Sequence, residues 1–529
     1  MENKYMNIPK EKFSFVQRGD KMHDEKFKTK SRGYFADAFL RFKKNKSSVV
    51  AACIIGFLVL FSIVSPIISP YTIKDKDKMY VNYAPYTEGF SDLGIGILDG
   101  GVIYQSYSEN QLKYLEGIAQ ETGRDPLIKI LDTFEEQEMK RGQIVTKTYH
   151  KIRVNKYFEK GIMYMVFSEA EYDDIIRFEQ ETGIRVIYPY VAPENLAADN
   201  LSKDKKDTLT RFYKDNLNPN LWYKVTDDKG TPALDADGNF IHAYHLNPKS
   251  TTIPGKEYTG IRVEGDDGTF IYSAQKGSAL QCRIDYYSYY QYKNGHAPQY
   301  IFGTNNMGQD IFCAIGIGAR FSLIFAICVS AINLTIGAIY GAIQGFYGGY
   351  VDLTMDRISD ILSGVPSMIT VSLFQLHLAQ KVGVIPSFLF AFVLTGWIGM
   401  AALTRKQFYR FKSQEYIMAA KTLGASDWRL MFKHIFPNSL GTIVTSCVLV
   451  IPGVISSETT LTYLGIVNLQ SFAGTSIGVL MSQGQTSMTT SPHAMFFPAM
   501  FVSLLLISFN LFGNGLRDAF NPSTRGVDD

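Results

Sequence analysis

The chain is 529 residues long, 46% hydrophobic and 19% charged, with a formal net charge of +3; it exceeds one ordinary domain and gives no basis for a nucleic-acid partner. Its charge is unevenly spread: residues 47–73, 321–351, 361–380 and 382–404 hold no Asp, Glu, Lys or Arg, and 434–516 hold only Glu458. Soluble helices are usually amphipathic, so five such runs at loop-like spacing exclude a soluble globular protein.

A helix needs roughly 20 apolar residues to cross the hydrocarbon core. The runs therefore predict an all-α polytopic membrane protein with six transmembrane helices, at about 48–70, 322–345, 358–380, 384–404, 440–463 and 494–515. Segment 1–46 carries 13 Lys/Arg against 6 acids, loop 405–439 carries seven Lys/Arg, and 465–493, rich in Gly, Ser, Thr and Gln and read as a loop, carries none. Basic loops stay in the cytoplasm, which puts both termini and 405–439 inside and 465–493 outside. The first span (47–70) is too long and too heavily flanked for a cleaved signal, and Ser65-Pro66-Ile67-Ile68 offers no small-x-small cleavage site; it is read as a retained anchor.

That topology places 71–319 outside the cell, with 35 Asp/Glu against 28 Lys/Arg. A large inserted extracellular α+β domain is expected over 71–300. Helices are predicted at about 109–122 and 168–181, each ending in Gln-Glu-Thr-Gly (Gln120–Gly123 and Gln180–Gly183), with the glycine as cap. Two helix-to-strand units sixty residues apart fit either an old duplication or coincidence. Asp-Gly turns in 225–240 and 263–270 predict hairpins. Asp235, Asp237 and Asn239 imitate the start of a calcium loop, but Phe240 and Leu246 occupy the glycine and glutamate positions, so no metal site is expected. Of the five cysteines only Cys282 lies well inside this domain, and a disulfide there requires Cys313 to reach it.

Residues 301–516 form the membrane core with five spans, followed by the tail 517–529. No Gly-x-x-x-x-Gly-Lys-Ser/Thr loop occurs, the histidines are scattered, and no catalytic residue can be assigned. Arg357 and Asp360, three apart on a helix, predict a structural surface pair. Pro366 and Pro452 sit inside predicted spans and can kink them; Gly453 beside Pro452 makes that the better hinge. Glu458 is the one carboxylate in the fifth span. A charge at mid-bilayer costs about 2.5–3.5 kcal/mol, so Glu458 either pairs with another helix or lines a path or gate with Pro452 and Gly453.

The stretch "EYIMAAKTLGASDWRLMFKHIFPN", 415–438, differs from its surroundings. Ser413 is the expected cap of a short helix whose first turn holds Glu415, where a negative charge suits the helix dipole. Ala419 and Ala420 make one face thin, Gly424 ends the helix by a positive φ, and Ser426 caps a second helix running to about His434. Pro437 marks the break toward the fifth span. A basic amphipathic segment lying on anionic headgroups is the competing reading, but this order of residues favours a shaped docking element.

This stretch resembles the coupling-loop signature of ABC importer permeases: "MAAKTLG" followed by Ile435-Phe436-Pro437. Met418 stands where that signature usually carries glutamate, and Glu415 matches the peptide-permease version. "LRFKKNKSSVVA" (40–51), "FGTNNMGQDIFCAIGIGARFSL" (302–323, with Asn305 and Gln309 in place of the usual Asp and Arg), "GFYGGYVDLTMDRISDILSGVP" (345–366), "SSETTLTYLGI" (456–466) and "FNLFGNGLRDAFNP" (509–522) resemble, in order, the C-type permease subunit of oligopeptide and dipeptide importers. The resemblance covers 40–85 and 296–525; the insert 86–295 departs from it. It implies the ABC importer type I permease fold in a bacterial cell membrane, a non-catalytic subunit without its own cofactor, and ATP bound by partners. Those partners are a second, B-type permease subunit, two cytoplasmic ABC ATPases and an extracellular peptide-binding lipoprotein, with membrane lipid around the complex and a peptide as substrate. Glu415, Tyr416, Met418, Ala419, Ala420, Leu423, Gly424 and Ala425 are the ATPase-coupling residues it implies. Import of dipeptides, nickel or other small solutes belongs to the same family, and a membrane-anchored extracellular receptor or enzyme is the alternative from another class.

Overall fold

The computed structural model describes residues 34–91, 96, 98–140, 143–189, 236, 262–264, 270–276, 278–469 and 475–520. The expected turns within 225–240 and at Asp266-Asp267-Gly268, the calcium-like Asp235, Asp237 and Asn239, the first 33 residues and the tail beyond Phe520 lie outside the described residues.

Tyr34–Lys44 (α1) and Lys46–Ile68 (α2) meet at Asn45, whose side chain accepts a hydrogen bond from the Ser48 backbone and so caps α2. Among the described residues five helices are long and apolar enough to cross a membrane: α2, Ile311–Tyr347, Val384–Lys412, Asp427–Tyr463 and His493–Phe520. A sixth crossing is available if Gly349–Ser363 and Ser367–Val382, bent by 72°, form one span. The third span expected at about 358–380, with Pro366 as a possible kink, corresponds to this bent pair, and Pro366 lies between its two helices rather than inside one. Val365, preceding the proline ring, is driven out of helical conformation, and Pro366 itself has no N–H to continue the ladder.

Between α2 and Ile311 the chain folds as an α+β domain. One sheet has the order β1-β3-β2, from Gly101–Ser108 (β1), Leu127–Lys140 (β2) and Gln143–Asn155 (β3). The other has the order β4-β8-β7-β6, from Ile162–Phe167 (β4), Arg262–Glu264 (β6), Phe270–Lys276 (β7) and Ala279–Asp285 (β8), with Ile187–Tyr188 (β5) on the edge of β8. The two predicted helices are present as Glu109–Thr122 (α3) and Glu169–Thr182 (α4), capped by Ser108 and Ser168 and ended by Gly123 and Gly183 at φ 70° and 73°. Each follows a strand and leads into one. Leu112, Leu115 and Ile118 of α3 face a core, and so do Tyr172, Ile175 and Phe178, sixty residues on in α4. A helix Tyr286–Asn294 (α5) follows β8.

Tyrosines fill much of this core. Tyr86 stacks on Tyr157 with centroids 4.7 Å apart, and Tyr71 on Tyr300 at 4.4 Å, an offset geometry worth about 0.5–1.5 kcal/mol per pair beyond burial. Tyr71, Tyr86 and Tyr300 belong to the neck that joins domain and helices, where Tyr86 N donates to Tyr300 O at 2.9 Å. All five cysteines are free, Cys282 and Cys313 both buried, so the domain stands on this packing without a disulfide.

The membrane helices, in order, are Ile311–Tyr347 (α6), Gly349–Ser363 (α7), Ser367–Leu373 (α8), Ala379–Val382 (α9, joined to α8 by a π turn at 374–378), Val384–Gly396 (α10) and Ile398–Lys412 (α11). They continue with Glu415–Thr422 (α12), Asp427–Arg429 (α13), Phe436–Tyr463 (α14), Ile477–Thr486 (α15) and His493–Phe520 (α16). Leu58, Ala326, Ile455 and Leu505 join α2, α6, α14 and α16 in one buried cluster. The expected loop 465–493 contains the helix α15: Ser476 caps it, and Ile477, Val479 and Leu480 are buried, which outweighs a Gly/Ser-rich composition. Asn305 and Asn306, in the neck, donate to Gln483 at 3.1 Å and Thr486 at 3.3 Å. The α+β domain and α15 thus share one end of the bundle. Segment 413–438 lies at the other, against the far end of the 37-residue α6.

Candidate functional site

The chain leaves α11 at Ser413, whose N–H bonds Phe411 O. Gln414 adopts extended geometry and Glu415 opens α12. The expected cap at Ser413 is corrected by one position: Ser413 closes the preceding helix, and Gln414 precedes α12 with no side-chain bond. The end of α12 follows the expectation for glycine. Gly424 has φ +84°, its N–H bonds Lys421 O at 3.0 Å and Ala425 N–H bonds Ala420 O at 3.1 Å. These are the two bonds of a Schellman turn. Nothing lies within 4 Å of a Cβ placed at Gly424, so the glycine is required by backbone conformation and not by space.

Beyond the turn, Ser426 is extended and precedes α13, without a side-chain cap bond. The second helix does not stop near His434. It runs through a π turn at Leu430–Ile435 directly into α14, with Pro437 in the first turn. The expected break at Pro437 is corrected: the helix is continuous through it, and the wider π turn just before it absorbs the change in hydrogen bonding where proline lacks an N–H.

Ile417, Leu430, Met431 and Ile435 are buried against Ala342 and Phe346 of α6 and Phe408 of α11. Ala420 and Ala425 pack on the same inner side. Ala419, one residue along and about 100° round the helix, is exposed, so the two alanines do not share a face as expected. The outward face carries Glu415, Tyr416, Met418 (53% exposed), Leu423 (87%) and Trp428 (66%). Asn438 Nδ2 donates to Tyr416 Oη at 3.1 Å, tying α12 to the start of α14. The result is an elbow held by a Schellman turn, with one face seated on the bundle and a largely apolar face open.

The second candidate region lies within the bundle. A cavity of about 410 Å³ is lined by residues including Asn333, Val371, Phe392, Thr395, Gly453 and Ser457. Glu458 and Pro452 are buried and do not line it. Glu458 is held by hydroxyls: Ser322 Oγ donates to it at 2.8 Å, and Thr459 and Thr462 Oγ1 lie at 3.4 Å. α14 passes through Pro452 unbroken. Arg357 Nη1 lies 3.1 Å from Asp360 Oδ2 with both side chains exposed. Among the described residues no group of three His, Cys, Asp or Glu is arranged to hold a metal ion.

Sequence reading missed one polar cluster. Arg405 of α11 donates to Asp352 at 2.5 Å and Asp356 at 2.9 Å, both on α7, and Tyr409 Oη donates to Asp352. A signal was available. Asp352 is the first charge after the run 321–351, and Arg405 the first after 382–404, so two charges leave apolar surroundings at the same level.

Residues 333–526 match the family model for the binding-protein-dependent transport system inner membrane component, and 33–85 match that for the N-terminal transmembrane domain of oligopeptide transport permease C. The chain is 42% identical over 224 residues to the oligopeptide transport system permease protein OppC of Bacillus subtilis, covering 42% of this chain and 72% of that protein. It is 37% identical over 225 residues to the dipeptide transport system permease protein DppC of the same organism (42% and 69%). With the oligopeptide protein OppC of Escherichia coli it shares 35% over 224 residues (42% and 72%).

Proposed function

The chain belongs to the family of OppC- and DppC-type permease subunits of ABC importers, a multi-pass, non-catalytic membrane component, and from that premise we propose that it imports oligopeptides as one half of a transmembrane pathway. Its six crossings count α7 and α8–α9 as one bent span. Both termini and the elbow face the cytoplasm, as the basic residues in 405–439 require, and the α+β domain with α15 faces the exterior. A B-type permease subunit supplies the other half of the pathway, and two cytoplasmic ATPases bind the ATP. An extracellular peptide-binding lipoprotein docks on the α+β domain.

The observation that carries this reading is the elbow. Its inner face is packed on α6 and α11, and its outer face offers Tyr416, Met418, Leu423 and Trp428 for a partner. Closure of the ATPases pushes that face. Inverting the populations of two bundle packings from 1:99 to 99:1 takes about 5.5 kcal/mol, a load that a turn-locked helix transmits and a loose basic tail does not. Met418 replaces a polar contact with an apolar one. The test is purification of the tagged chain from its native membrane, followed by uptake of tri-alanine into proteoliposomes. Two ATPases co-purify and uptake requires internal ATP; a chain that comes alone, or uptake indifferent to ATP, contradicts the proposal.

A further inference from the structure

A push on α12 has to pass through neighbouring helices to reach the bent pair α7 and α8. α6 and α11 lie in close contact along Gly337, Gly341 and Gly345, where any Cβ would meet backbone or Cβ atoms of Trp397 to Phe408. Small residues spaced by four are the usual means of bringing two membrane helices together. This seats α11 on α6 and directs Arg405 toward α7, which starts at Gly349 with Gly348 as its cap. There the guanidinium spans two carboxylates one helical turn apart: Nη2 on Asp352 and Nη1 on Asp356. Tyr409, one turn further along α11, also binds Asp352. Gln344 of α6 donates to Asp356 at 3.2 Å. Planar, two-pronged arginine contacts fix orientation as well as distance. Ile417 of the elbow packs on the same α6–α11 unit, against Phe346 and Phe408.

We propose that Arg405 is a positioning residue for transport: by clamping Asp352 and Asp356 it makes the elbow, α6, α11 and α7 one rigid body, so that displacement of the elbow is released at the Gly364–Pro366 break, where the chain turns by 72°. This rests on the elbow being the ATPase contact. The exposed lines of force are short. α12 reaches α11 and α6 by packing, α11 reaches α7 through Arg405, and the first segment without that tie begins at Ser367.

The experiment uses the whole complex in proteoliposomes. Spin labels go on Tyr350→Cys in α7 and Leu423→Cys in the elbow, both largely exposed, with the exposed Cys53 and Cys328 replaced by serine. In the parent complex the distance between labels stays the same in the nucleotide-free state and in the state closed by a slowly hydrolysed ATP analogue. In Arg405→Gln it changes or broadens on closure, and tri-alanine taken up per ATP hydrolysed falls about tenfold, within the usual range of coupling energies. Arg405→Lys, which keeps the charge but not the fork, recovers part of the uptake. Asp352→Asn combined with Arg405→Gln is no worse than Arg405→Gln alone. A label distance that changes in the parent complex, or Arg405→Gln with unaltered uptake per ATP, overturns the proposal. So does loss of complex from the membrane in proportion to lost uptake with the label distance unchanged. Failure of the elbow reading has a different signature: Leu423 then makes no ATPase contact even in the parent complex.

Discussion

Ser322 of α6 gives its hydroxyl to Glu458 of α14 across 2.8 Å, in a fully buried site where Thr459 and Thr462 supply further hydroxyls. The carboxylate thus links two membrane helices and is not among the residues that line the cavity beside Gly453. Glu458→Gln keeps shape and acceptor, and is expected to leave the pattern of peptide competition unchanged. Glu458→Ala removes the acceptor for Ser322 and leaves a void, lowering stability by about 1–3 kcal/mol, read as an earlier thermal midpoint in detergent. A shifted competition pattern in Glu458→Gln would place the residue on the peptide path instead.

Gly424 offers the cleanest test of stiffness. A leucine in the left-handed region costs about 1–2 kcal/mol with no clash to add to it. The chain relieves that strain by opening the Schellman turn and turning Leu423 aside. Gly424→Leu should therefore retain ATP hydrolysis and lose tri-alanine uptake, whereas Gly424→Asn, which tolerates that conformation, should retain both. Full uptake by Gly424→Leu would remove the rigid turn from the mechanism.

In the α+β domain, Glu159 accepts from Tyr104 Oη at 2.7 Å, and burial holds its carboxyl above the usual carboxylate range against that hydrogen bond. The folded domain therefore holds the proton to higher pH than the unfolded chain does. Where the native state binds more protons, stability falls as pH rises, here from the unfolded glutamate value of about 4.3 up through the raised one. Glu159→Gln removes this dependence. Hydrogen exchange of residues 101–188 in the intact protein should show the parent domain opening more readily at neutral than at mildly acid pH, with the variant flatter and slower to open at neutral pH.

The domain's two ends meet where Tyr86 bonds Tyr300, so it can be excised with a short bridge. Replacing 88–295 by a few glycines should leave the helices assembled with the ATPases and abolish association with the peptide-binding lipoprotein, measured by light scattering or interferometry. Undiminished association would assign the docking surface elsewhere.

Periodicity and turn chemistry were legible wherever one helix or one cap settled the matter. Uncharged runs located the long helices, and Gly123, Gly183 and Gly424 ended theirs by positive φ. What escaped was set by partners distant in sequence. The pairing of Arg405 with Asp352 spans 53 residues, and α15 forms because its apolar residues are buried against neighbouring helices. Pro366 and Pro437 look alike in sequence. The first stands at a sharp break and the second inside a continuous helix, because only the second has a π turn before it. The order of the strands β1 to β8 follows from pairings that no short motif encodes. Asn305 and Gln309 stand where the family resemblance implies Asp and Arg, and the Asn305 amide donates to Gln309 Oε1 at 3.0 Å, a contact that no spacing rule reveals.

The outer face of the elbow is expected to meet an ATPase on the inner side of the membrane. Leu423→Cys, its side chain almost fully exposed, carries a photo-activated cross-linker in the assembled complex. A cross-link to an ATPase subunit is expected, with no reaction of that cysteine with a membrane-impermeant maleimide added outside intact cells. Labelling from outside, or an assembled complex in which Leu423 cross-links to no ATPase, contradicts it.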